Sequence, residues 1–167
     1  MKRLMLWVVA AACVASLFGR AQAQRRGSAV VCGDPTAQCR TIPDAFQPYD
    51  LQFRLRTNTV IWESEPFYAV VLRSVRVADD WGDCDKFVPE SDRVEAQRLF
   101  PRNKVFASRC GEPGTLYYTN TAPKQRFMAV DAGRTRAEAE RLLAQVRATG
   151  KYPSANLRRM RAGFNGT

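Results

Sequence analysis

The 167-residue sequence contains no histidine. That absence removes Ser-His-Asp and Cys-His catalysis, and with them the commonest metal ligand. No Cys-x-x-Cys pair occurs either, so neither a zinc ribbon nor a thioredoxin-like redox motif is encoded. Gly111, Gly114 and Gly133 are not spaced as a phosphate cradle. Beyond the first 18 residues there is no second long apolar run, so nothing later in the chain reads as a membrane span. Acidic residues are few beside basic ones, 16 against 26.

What is present begins at the N-terminus. Lys2 and Arg3 precede an uncharged apolar stretch from Leu4 to Phe18, and Ala21-Gln22-Ala23 follows. Those are the three parts of a secretory signal peptide with small residues at the cleavage site. A retained membrane helix needs about 20 apolar residues, more than this stretch supplies. Cys13 lies inside the apolar stretch and reads as part of the signal rather than a lipid acceptor. Cleavage after Ala23 is the expectation. It leaves 144 residues with 23 basic and 16 acidic side chains, net +7. That length suits one domain with its own core. The expected location is outside the cytoplasm, in a periplasm or the extracellular space.

Four cysteines remain after cleavage: Cys32, Cys39, Cys84 and Cys110. An even number in an exported chain implies disulfides. Three connectivities are open. Cys32 and Cys39 flank a loop with Gly33, Asp34 and Pro35, which favours a local pair and leaves Cys84 with Cys110.

Along the chain, residues 24–50 are punctuated by Gly, Pro and Asp and read as an irregular arm. Leu51, Phe53 and Leu55 alternate with Gln52, Arg54 and Arg56, the period of a half-buried strand. Val60, Ile61 and Trp62 form a second extended piece. Residues 67–75 are β-branched and aromatic, a strand. A loop at 77–88 and a helix at 89–100 follow, with Asp92 and Glu95 resembling a capping box. Strands are expected at 104–110, 126–132 and 154–160, with a hairpin excursion at 116–119. Thr135-Arg136-Ala137-Glu138 is a capping-box signature. Ala139, Leu142, Leu143 and Val146 then form one apolar stripe, and Gly150 stops that helix. The tail 161–167 reads as frayed; its Asn165-Gly166-Thr167 matches a glycosylation acceptor by chance of position. The expected fold is α+β: a ferredoxin-like β-α-β-β-α-β unit over 66–160, its antiparallel sheet carrying two helices on one face, plus an N-terminal β extension over 24–65.

The stretch from Phe127 to Gly150 resembles the second half of a SPOR (sporulation-related repeat) domain: a strand, a turn at Gly133, an alanine-bearing amphipathic helix and a terminal glycine. Phe67-Tyr68-Ala69-Val70-Val71-Leu72-Arg73-Ser74 is similar to that family's first strand, although Val70-Val71-Leu72 stands where the family carries a glutamine between valines. The resemblance implies an exported bacterial module that binds peptidoglycan, chiefly glycan strands lacking stem peptides. It implies no enzyme activity and no cofactor.

Strand alternation identifies candidate ligand residues. With Met128 and Val130 facing the helices, Phe127, Ala129 and Asp131 face the other way. The same phase puts Arg73, Asn156 and Arg158 outward, and one phase of the second strand adds Phe106 and Ser108. Phe127 would stack on a sugar ring while Arg73, Asn156 and Arg158 bond its hydroxyls or carboxylates. The competing expectation is that segment 51–62 folds over this face and buries it. Peptidoglycan or another envelope polyanion is the expected partner, with a protein partner as the alternative. Export argues against nucleic acid. A third reading, a hydrolase, would use the acidic loop of Asp79, Asp80, Asp83 and Asp85 around Trp81.

Overall fold

The computed structural model describes residues 27–39, 46–55, 61–78, 83–110 and 116–165. The signal segment 1–23, Asp79, Asp80, Trp81 and the last two residues lie outside the described residues. The elements are β1 (Gly27–Cys32), β2 (Gln52–Arg54), β3 (Ile61–Ser64), β4 (Phe67–Arg76), α1 (Glu90–Leu99), β5 (Val105–Ala107), β6 (Leu116–Tyr118), β7 (Gln125–Asp131), α2 (Arg136–Ala148), β8 (Asn156–Met160) and β9 (Ala162–Asn165). The fold is α+β, with two helices and two sheets.

One sheet has four strands in the order β5-β7-β4-β8, every neighbouring pair antiparallel. Both helices pack on one of its faces. Val70, Leu72, Met128 and Val130 from the sheet meet Ala96 of α1 and Ala139, Leu142 and Val146 of α2. The α2 stripe is the one its sequence spacing implies, and Thr135 and Glu138 close the capping box at its start. Gly150 takes φ +68°, the left-handed value that ends helices. The expected box at Asp92 does not form. Helix α1 starts earlier, at Glu90, with Pro89 in the capping position and no side-chain cap; a proline there has no N–H that needs a partner. Asp92 pairs with Arg73 instead.

The other sheet has five strands, β2-β1-β3-β9-β6, with β1 and β3 parallel and the other pairs antiparallel. It corrects three expectations. The arm expected to be irregular contains β1, whose Ala29 and Val31 are buried. The tail expected to fray contains β9, which sits between β3 and β6 with Ala162 fully buried. The excursion at 116–119 is not a hairpin on the first sheet: β6 leaves it to pair with β9. Backbone groups of strands this short are satisfied only by partners distant in the chain, which local pattern does not reveal.

Leu51 and Phe53 of the segment ending in β2, Trp62 of β3 and Tyr118 of β6 pack against Phe67, Ala69, Phe106, Phe127 and Ala129 of the four-stranded sheet. The molecule therefore has three layers, helices, sheet and sheet, with a core in each gap. Cys32 is bonded to Cys39 and Cys84 to Cys110. Two structural disulfides indicate an oxidising compartment. Among the described residues no helix is long and apolar enough to cross a membrane.

Candidate functional site

The face expected to meet a ligand is largely roofed by the five-stranded sheet. Phe106 is fully buried and Phe127 nearly so. Their rings stand edge to face with centroids 6.0 Å apart, and Tyr118 packs 5.4 Å from Phe127. Neither ring offers a face for a sugar. Ser108 is also committed: its Oγ accepts the Phe127 N–H at 2.8 Å while its own N–H bonds the Phe127 carbonyl at 2.9 Å. Phe106 and Ser108 thus serve the core and the β5–β7 edge.

Arg73 lies on the opposite face from the one alternation implies. The β4–β7 register shifts between Val71 and Arg73. A bulge inserts one extra residue and inverts the side-chain phase beyond it. Arg73 therefore stands across from Met128 on the helix side, where its guanidinium pairs with Asp92 of α1.

The structure does bring Phe127, Asn156 and Arg158 together. Where the covering sheet ends, they line a narrow groove with Ser74, Thr121 and Gln125, enclosing about 50 Å³. That holds a water or two and no sugar ring. Arg158 Nε donates to Asn156 Oδ1 at 3.0 Å and is otherwise exposed to solvent, as is Arg159 on the same strand.

A larger cleft of about 520 Å³ lies on the helix side, floored by Leu72 and Met128. Two ion pairs flank it, Arg73 with Asp92 and Lys151 Nζ with Glu95 Oε1 at 2.5 Å. The bond to Lys151 holds Glu95 below the usual carboxylate range and raises Lys151 in turn. Burial raises the Tyr152 phenol beside them. Lys151 and Tyr152 follow the helix-stopping Gly150, so position after a stop signal was the only sequence clue to them.

A third cleft, about 340 Å³, lies where β7 runs into α2. Asp131, the last residue of β7, forms part of its wall, and only 6% of that side chain is exposed. Gly33 faces it from beyond β1. A Cβ on Gly33 would stand 1.6 Å from Asp131 Oδ2, so no side chain fits there. Burial raises the Asp131 carboxyl to about 6, against the opposing pull of Arg134 and the Gly133 N–H. The folded protein therefore holds this proton where an unfolded chain, with the ordinary aspartate value of 3.8, has lost it. Stability attributable to Asp131 falls as pH rises from about 4 to about 6 and stays low above, a cost of about 3 kcal/mol at neutral pH. Asp131→Asn is expected to raise stability by about that amount at pH 7 and by little at pH 4. Urea unfolding of both proteins across this range measures the difference; a gain independent of pH would contradict it.

Asp83, from the acidic loop, accepts the Ala78 N–H at 2.6 Å and pairs with Lys86 at 3.2 Å, which makes it a loop brace. Among the described residues no group of three Cys, Asp or Glu side chains is arranged to hold a metal ion. No protein-family model, curated protein or solved structure matches the chain.

Proposed function

We propose that this protein is an exported, non-catalytic binding module that holds peptidoglycan glycan strands or a related anionic polymer of the bacterial envelope. The observation that carries the reading is the edge of β8. Arg158 and Arg159 are exposed there and form no ion pair among the described residues, and Arg158 lines the Asn156 groove. The remainder of the chain's positive charge adds long-range attraction to polyanions. The signal-like N-terminus and the two disulfides fit that setting. The strand order β8-β4-β7-β5 with two helices on one face supports a split βαβ plan for this half, as the SPOR resemblance implies. The second sheet then displaces the contact surface from the sheet face to the β8 edge. Glycan would lie across the groove, with Asn156 and Arg158 reaching its hydroxyls and carboxylates.

Purified sacculi test this. The disulfide-bonded protein should be retained and released by rising salt, since exposed charges are screened. Arg158→Glu with Arg159→Glu should abolish retention without lowering thermal stability. Failure of the folded protein to bind at low salt would overturn the reading. A protein partner is the second reading, favoured by Tyr117, which stands half exposed on the outer face of the five-stranded sheet. Binding of that kind would be lost in Tyr117→Ser and kept in the double arginine variant.

A further inference from the structure

Among the described residues, Tyr117 is the one aromatic side chain that stands half exposed to solvent. Leu116 and Tyr118 on either side of it turn into the core, so Tyr117 turns out. Across the five-stranded sheet Tyr117 is paired with Gly163 of β9, and Gly163 with Glu63 of β3. The three form one row on the outer face. A Cβ on Gly163 would stand 1.9 Å from Tyr117 Cζ, 2.1 Å from Oη and 2.4 Å from Cε1. Distances so even to three bonded atoms place that point above the ring and not in its plane. The ring therefore lies flat on the glycine, one face down and the other open. Covering a strand glycine with an aromatic ring steadies the sheet. That explains the buried face and leaves the outer one unused.

The ring reaches across β9 towards Glu63, whose Oε2 lies 3.4 Å from Arg161 Nη1. Arg161 Nη1 also donates to the Ser64 carbonyl at 3.1 Å. The Arg161 and Glu63 side chains keep 44% and 45% of their exposure, so acceptor sites on the carboxylate and N–H groups on the guanidinium remain open. A flat apolar surface thus has a donor and an acceptor at its rim, and their charges cancel. Cancelled charge offers no net attraction to a polyanion or an acidic peptide. A stable protein interface covers about 800 Å² on each side around an apolar centre. Val30, the other exposed apolar side chain of this sheet, stands on β1, three strands from β6 and about 14 Å away. One isolated platform with polar groups beside it fits a sugar ring better. The C–H face of a β-linked glucose-type pyranose is apolar and slightly positive, suited to the negative face of the aromatic ring. Its equatorial hydroxyls project at the rim.

We propose that Tyr117 is a stacking platform for an uncharged pyranose of a β-linked glycan, with Glu63 and Arg161 bonding its hydroxyls. The site is separate from the β8 edge, where charge holds the ligand, and neither needs the other.

Cellotetraose and N-acetylated chitotetraose, both uncharged, test this by calorimetry and amide NMR on the disulfide-bonded protein. Saturable binding is expected, with shifts centred on residues 63, 117 and 161–163, and little change with salt because no net charge is screened. Tyr117→Phe should keep it. Tyr117→Leu still covers Gly163 but presents no flat π face, and should weaken binding at least about tenfold. Arg158→Glu with Arg159→Glu should leave it unchanged, so failure of polymer retention at the β8 edge and failure of this site are read separately. No saturable binding by the folded parent, equal binding by Tyr117→Leu, or shifts centred on 156–159 would each overturn the proposal. So would self-association of the parent that Tyr117→Leu abolishes, which would assign the ring to a second copy of the chain.

Discussion

Removing the Cys84–Cys110 bond by Cys84→Ala and Cys110→Ala is expected to cost about 3.5 kcal/mol of stability, the entropy an open chain regains when a loop of this length is no longer closed. The two cysteines are 26 residues apart. Cys32 and Cys39 are 7 apart, and the same relation gives about 2.4 kcal/mol for that pair. The native state should survive the first substitution because other contacts hold the same region. The Arg109 guanidinium lies 3.7 Å from the Phe87 ring centroid and 4.4 Å from that of Tyr49. Its Nη2 also meets Glu90 at 3.2 Å. With the folded geometry pinned, the loss falls on the unfolded side of the equilibrium. Urea unfolding without reductant should therefore show a lower midpoint for both double variants, the larger drop for Cys84 and Cys110. The reverse order would mean that the bond strains or orders the native fold instead.

The parts of this fold legible in the sequence are those whose signals are local. Helix α2 announces itself through Thr135, Glu138 and the stripe from Ala139 to Val146, all within a few turns. The strand around Phe53 shows in simple alternation, and the local Cys32–Cys39 pair in its short spacing. The five-stranded sheet has no such signal. Strand β9 reads Ala162-Gly163-Phe164-Asn165 and looks like a loose end. Gly163 is there because Tyr117 lies where any Cβ would stand, at 1.9 Å from its ring. That requirement is set by a strand paired across the sheet, not by a neighbour in the chain. The bulge after Val71 is equally silent, and it moved Arg73 to the other face of β4. Asp131 was legible as facing away from the helices. Its burial was not, because Gly33 comes from a part of the chain that reads as a loop. Sequence pattern therefore located the helix-bearing layer and misjudged which charged residues that layer leaves open to solvent.

The seam between those layers rests on Arg134, and Arg134→Ala is expected to destabilise the protein by about 3 kcal/mol at pH 7. One guanidinium joins three segments: the Val31 carbonyl of β1, Glu65 at the β3–β4 turn, and Asp131 at the end of β7. The first two contacts are short, while the third holds the charge of a buried carboxylate. Breaking a fully buried pair costs 3–5 kcal/mol. The low end applies because Arg134 and Glu65 keep 32% and 38% of their side-chain exposure. Arg134→Lys should lose about half as much, since an ammonium group cannot span three acceptors in the plane of a guanidinium. The carboxylate's share can be isolated. Adding Asp131→Asn to Arg134→Ala should stabilise by more than the same substitution does in the parent, because it removes a buried charge left without its partner. Acid should act in the same direction. Arg134 favours the ionised form of Asp131, so its removal lifts a folded-state value that already stands near 6. At pH 5 the carboxyl is largely protonated in the folded protein and needs the cation less; at pH 8 it needs it most. The penalty of Arg134→Ala should accordingly grow as pH rises through 6 and change little with pH once Asp131 is Asn. A penalty equally large at pH 5 and pH 8 would assign the clamp to Val31 and Glu65 alone, leaving Asp131 no part in joining the sheets.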